Sequence, residues 1–197
     1  MSSPELKADL QRYLQSGRDA LLWKLEGLSE YDVRRPMTPT GTNLLGLVKH
    51  LAYVEFGYFG ATFGRPVDEA RAWADDTDDE PNWDMWVPAA ESRDQVVAMY
   101  RRACAHADQT IESLPLDTRG QVSWWERSGG EATLHRVLVH VIAETDRHVG
   151  HADIVRELID GAVGLRSDHS NLPAVDGTWW EDHRSRLEMV AQQFRTN

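Results

Sequence analysis

Glu144 and His148 lie four residues apart in Glu144-Thr-Asp-Arg-His148, and a third candidate, His50, sits far upstream in Leu47-Val-Lys-His50-Leu-Ala-Tyr-Val-Glu55. Side chains four apart on an α-helix stack on one face, close enough for both to grip one ion. A single further ligand from a facing helix completes a three-ligand site. Two histidines and one carboxylate around a divalent metal, with a coordination position left for water, is how a catalytic rather than a structural zinc is usually held. If the three residues meet, the chain is a metalloprotein and is expected to be an enzyme.

The helix that must carry the pair is predicted over residues 132–160, closed by Gly161 as its C-terminal cap. At about 100° per residue, Val137, Val141, His148 and Val155 cluster on one side, with Glu144 and His151 just beside them and His140 further round. The apolar stripe of Leu134, Val137, Val141, Ala152, Val155 and Ile159 is thus interrupted by Glu144 and His148 near its centre. A carboxylate there is costly unless it is paired or coordinated. The pattern alone leaves three explanations open: a metal site with His50, an ion pair with Arg147, Arg136 or a basic residue of another helix, or a wet boundary face.

His50 belongs to a helix predicted over residues 44–63, capped by Thr42 or Asn43, with Leu47, Leu51, Val54 and Tyr58 as its core stripe. Gly46, Gly57 and Gly60 share a flank with His50 and Tyr53. Each glycine costs a helix about 1 kcal/mol against alanine, so three on one flank imply that something approaches closely. A first helix starts at Ser3 as N-cap with Pro4 in its first turn, carrying Leu6, Leu10, Leu14, Leu21, Leu25 and Leu28. A third spans residues 92–114 with Val96, Met99, Ala103 and Ala107 inward, and a final one spans 179–194. Residues 64–90 form a long crossover connection, including the acidic Asp75-Asp-Thr-Asp-Asp-Glu80, which lacks the central glycine and terminal glutamate of a calcium loop. Residues 115–131 are turn-rich and 164–176 are loop. The expectation is an all-α single domain over 1–197: a four-helix bundle with a long crossover between helices two and three and an extra C-terminal helix.

Composition narrows the partners. A hydrophobic fraction of 41% and a charged fraction of 27% in 197 residues suit one soluble domain with a substantial core. The net charge of −11 argues against nucleic acid, which needs clustered Lys and Arg. The first residues, Met-Ser-Ser-Pro-Glu-Leu-Lys, show no signal peptide, and no apolar run is long enough for a membrane span. The single cysteine, Cys104, fits a reducing cytoplasm and reads as a small packing residue rather than a nucleophile. His106, His135, His169 and His183 have no assignable partner. Ser167-Asp-His-Ser170 holds triad residue types, but neighbours in a loop do not take triad geometry from adjacency.

Four stretches then carry a family resemblance: Leu22-Trp-Lys-Leu-Glu-Gly-Leu-Ser, Arg35-Pro-Met-Thr-Pro-Thr-Gly-Thr-Asn-Leu-Leu-Gly-Leu-Val-Lys-His-Leu, Val54-Glu, and Glu144-Thr-Asp-Arg-His-Val-Gly-His-Ala-Asp-Ile-Val-Arg-Glu-Leu-Ile-Asp-Gly161. They resemble the DinB-like (YfiT-like) superfamily, in its actinobacterial branch near the mycothiol-dependent S-transferases and maleylpyruvate isomerase. The resemblance implies an up-down-down-up bundle with a metal at one end of its core, held by His50, Glu144 and His148. Many members have histidine at the first position of the helical pair; glutamate there is similar to the isomerases. It also implies zinc, with nickel, iron or cobalt as alternatives, and a homodimer. His151 is then a fourth ligand, a second-layer donor or a proton carrier. Arg156 and Asp153 resemble fixed family positions, expected in a salt bridge or dimer contact.

The activity this implies is metal-dependent thiol S-transfer. The sulfur of mycothiol or a similar small thiol would take the open position as thiolate and attack an electrophile. Trp83, Trp86, Trp124 and Trp125 are candidates to line the pocket, against the plainer reading of core and cap packing. The alternatives are a hydrolase using metal-activated water, and a non-catalytic metal-binding or stress-response bundle.

Overall fold

The computed structural model describes residues 3–68, 81–125 and 129–195. Among them the chain is mostly helical: α1 (Ser3–Trp23), α2 (Glu30–Arg34), α3 (Leu44–Glu55), α4 (Arg93–Ser113), α5 (Leu134–Asp160) and α6 (Gly177–Gln192), with one two-stranded antiparallel sheet of β1 (Arg119–Gln121) and β2 (Glu131–Thr133). The all-α expectation holds. The acidic run 75–80 lies outside the described residues. No helix among the described residues is long and apolar enough to cross a membrane.

Caps explain where the helices start. Asn43 accepts from the Gly46 amide at 2.7 Å. Ser92 and Gln95 form a reciprocal capping box at the head of α4. Thr133 caps α5, whose far end closes at Gly161 with φ 78°, the left-handed conformation that glycine adopts freely. The first helix ends at Trp23, earlier than its leucine stripe suggests, and the short helix α2 follows. The carbonyls just beyond α1 are not left to water. Arg156 donates to those of Lys24 and Glu26 at 3.0 and 2.9 Å, and Arg93 to those of Leu25 and Leu28. The helix expected over 44–63 keeps its length but loosens after Glu55 into a π turn, Phe56–Gly60, and a 3-10 turn, Ala61–Phe63. Two of the flank glycines, Gly57 and Gly60, fall inside that π turn.

The predicted stripes are the core. Leu14, Leu21, Leu25, Leu47, Leu51, Val96, Met99, Ala103, Ala107, Leu134, Val137, Val141, Ala152 and Val155 are all buried, whereas Leu6 is exposed. Along α1 and α5 the contacts keep step in the same direction. Gly17 lies against Thr145 and Asp146, and two turns later Lys24 ion-pairs with Asp153 at 2.6 Å. Two apolar clusters result, and the buried residues of α5 divide between them, one set ending at Val141 and the other beginning at Val149. Glu144 and His148 thus occupy the seam between two clusters rather than the end of one. By contrast α6 has no buried residue, and Leu187, Val190 and Phe194 stand exposed on it or just past its end.

Candidate metal centre

Three elements position the site. Helix α3 supplies His50, α5 supplies Glu144 and His148 from successive turns of one face, and the 3-10 turn Trp83–Met85 closes over α3. The ligand atoms of His50, Glu144 and His148 all lie within 4.8 Å of one another. Glu144 Oε1 is 3.1 Å from His148 Nε2 and 3.7 Å from His50 Nε2. For comparison, ligand atoms at about 2.1 Å from a tetrahedral zinc stand roughly 3.4 Å apart. The imidazoles meet edge to face with centroids 4.7 Å apart.

The donor set suits a cation. His50 Nε2, facing Glu144, is buried without a hydrogen-bond partner, and His148 Nε2 lies at hydrogen-bond distance from Glu144 Oε1. Burial, then the proximity of His50, lowers the His148 pKa and keeps its ring neutral, as a ligand nitrogen must be. Glu144 feels the opposite pull. Burial works to raise its pKa, but His148 and then His50 bring it below the ordinary value, so it is a carboxylate. With a side chain 29% exposed, Glu144 also opens the site to solvent, which a reactant would need to enter. The residues therefore fit a divalent metal held by two imidazole nitrogens and one carboxylate oxygen.

The glycine flank finds its cause here. A Cβ on Gly46 would lie 1.9 Å from the Met85 carbonyl oxygen, and one on Gly57 would lie 3.1 Å from the Trp124 ring. A Cβ on Gly60 would meet the Arg65 carbonyl at 2.9 Å and the His106 ring at 3.2 Å. What approaches closely is the rest of the chain itself. Trp83 packs edge-on against Tyr53, one turn beyond His50, at 4.4 Å. Trp124 and Trp125 both donate to the Tyr58 hydroxyl at 3.1 Å. Trp86 and Trp124 remain nearly half exposed.

The remaining candidates separate cleanly. His151 is exposed, with its ring centroid 5.3 Å from that of His148. His140 is drawn away into the Tyr58 and Trp125 rings, at 4.8 and 4.9 Å. Arg156 and Asp153 make salt bridges within the chain, to Asp160 and Lys24 respectively. Cys104 is partly buried, and burial together with nearby Glu55 pushes its thiol pKa far up, so it is a poor nucleophile. One contact was missed from sequence: the His50 Nδ1 lies 2.7 Å from Asp84 Oδ2, and that hydrogen bond is the first cause holding the Asp84 carboxyl below its usual range. The only signal was the polar Asp84 between Trp83 and Met85 in the long connection.

A sequence profile of the Mycothiol-S-transferase family matches residues 9–161, well over half of the chain and all three candidate ligands. The chain belongs to this family. Among curated proteins none matches it. The family is a branch of the DinB-like superfamily, as the resemblance implied, and its description brings a small-molecule thiol into view as a partner.

Proposed function

We propose that the chain is a metal-dependent thiol S-transferase that uses mycothiol or a related small thiol, with His50, Glu144 and His148 as metal ligands. One observation carries the reading: in a chain of this family, two imidazoles and a carboxylate from two helices converge, and His50 Nε2, facing Glu144, is buried without a hydrogen bond. A divalent ion there, zinc in first place, supplies Lewis acidity that lowers the pKa of a thiol or water within reach. The residues do the rest. Glu144 contributes one negative charge, and exposed His151 beside His148 is placed to pass a proton to solvent. Trp83 on Tyr53 and the Tyr58, Trp124 and Trp125 group wall the approach.

The architecture that goes with this reading is one domain, an up-down-down-up four-helix bundle of α1, α3, α4 and α5 with the long crossover between α3 and α4. The same-direction contacts of α1 with α5 support it, as does the order in which α3 meets α4: Lys49 with Glu91, then Glu55 near Cys104. A cytoplasmic homodimer completes the proposal.

The test is conjugation of mycothiol to monochlorobimane by the purified protein. The sulfur–carbon bond forms as chloride leaves, the thiol proton passes to solvent, and fluorescence reports the product. Turnover should need both thiol and metal, stop with chelator and return with zinc. A hydrolytic rate unchanged by omitting thiol would favour metal-activated water, and a metal-loaded protein without turnover would favour a binding role.

A further inference from the structure

Asp84 reaches the centre from the opposite edge of the His50 ring. Its Oδ2 is 2.7 Å from Nδ1, while Nε2 on the far side faces Glu144 and His148. It is therefore misplaced to be a ligand and well placed to hold the ring. A carboxylate accepting from Nδ1 fixes the proton there and leaves the Nε2 lone pair directed into the site. Free imidazole in water has no such constraint.

The turn that carries Asp84 is built onto α3. The Asn43 side chain caps the helix through the Gly46 amide with its oxygen and donates to the Met85 carbonyl with its nitrogen, at 3.2 Å. The absence of a Cβ at Gly46 lets that same carbonyl rest on the helix. On the other side Trp83 locks against Tyr53 at 4.4 Å. Three anchors on one helix thus bracket His50 and present Asp84 to it.

We infer that Asp84 is a positioning residue that selects the Nδ1-protonated tautomer of His50 and its rotamer, so that Nε2 is preorganised for the metal. The inference rests on the proposed metal centre, and partners of this kind typically contribute roughly 10–100-fold to metal affinity.

Two readouts test it: Co²⁺ titration followed by ligand-field absorption, and ¹⁵N chemical shifts of the His50 ring in the metal-free protein. Asp84→Ala should weaken Co²⁺ binding by roughly 10–100-fold and release His50 into a tautomer mixture, with the thermal midpoint recording that the chain remains folded. Asp84→Asn, whose amide oxygen can still accept from Nδ1, should keep the tautomer and recover part of the affinity. If Asp84→Ala binds Co²⁺ as the wild type does and leaves the His50 tautomer unchanged, Asp84 has no positioning role while the metal centre stands. If the wild type binds no Co²⁺ but the tautomer still switches in Asp84→Ala, the orienting role survives and the metal reading fails.

Discussion

Two carboxylates, Glu55 on α3 and Glu144 on α5, are drawn into the interior by very different company. Glu55 is 1% exposed and receives a two-pronged contact from Arg18, Nε to Oε1 at 2.7 Å and Nη2 to Oε2 at 2.8 Å, while Arg18 also donates to Asp108 at 2.7 Å. Burial raises the Glu55 pKa and Arg18 opposes that shift, so the carboxylate is held by a cation of its own chain. Among the described residues no arginine or lysine forms an ion pair with Glu144. It faces two imidazoles instead, with His148 Nε2 at hydrogen-bond distance, 3.1 Å, and the unpartnered His50 Nε2 at 3.7 Å. A buried acid matched by a guanidinium is an internal fastener, whereas Glu144, matched by two imidazoles, is the one we propose as part of a cation site.

The comparison can be broken most forcefully at its structural half. Arg18→Ala leaves Glu55 buried without its cation and should lower unfolding stability by about 3–5 kcal/mol in urea titration, because an uncompensated buried charge remains. The folded fraction should still bind metal. A variant that loses metal with stability intact would show that the two carboxylates are not independent.

Gly46→Ala attacks the loop contact beside His50. Its methyl collides with the Met85 carbonyl. A cost of about 1–3 kcal/mol is expected, together with weaker Co²⁺ binding as the turn carrying Asp84 shifts. Cys104, next to Glu55, has its pKa raised by burial and by that carboxylate. It should react with maleimide at least about tenfold faster in denaturant than in the folded chain, since the raised pKa removes thiolate. Equal rates would mean that the Glu55 environment is open.

The smallest effect belongs to Asp160, whose pKa the Arg156 hydrogen bond lowers. A depressed folded pKa contributes stability that is present above the unfolded value and lost as pH falls through the folded one. For Asp160 that loss begins below the ordinary value of 3.8. Asp160→Asn should therefore cost well under about 1 kcal/mol at neutral pH, with the difference from wild type vanishing in acid.

Local chemistry was readable and long-range pairing was not. The stripes, the cap at Thr42 or Asn43 and the one at Gly161, and the glycine flank follow from signals that each segment carries by itself. Glu144 and His148 were legible for the same reason, since a spacing of four on one helix is local. Joining His50 to them, however, needed the family resemblance, because which helices face each other is a property of packing. Asp84 and the Arg18–Glu55 pair escaped for that reason. Each contact closes across a long stretch of chain with no periodic signal. The β1–β2 hairpin and α2 are too short for a period to appear, and Trp124 and Arg65, which close on Gly57 and Gly60 in the π turn after Glu55, come from distant parts of the chain or its loops.

The central claim is that His50, Glu144 and His148 hold one metal. Elemental analysis of the purified wild type beside His50→Ala, Glu144→Ala and His148→Ala tests it most directly. About one divalent ion per chain in the wild type is predicted, falling sharply in each variant while the helical circular dichroism stays. Full occupancy retained in His50→Ala and His148→Ala would contradict the account and send the search for the metal elsewhere.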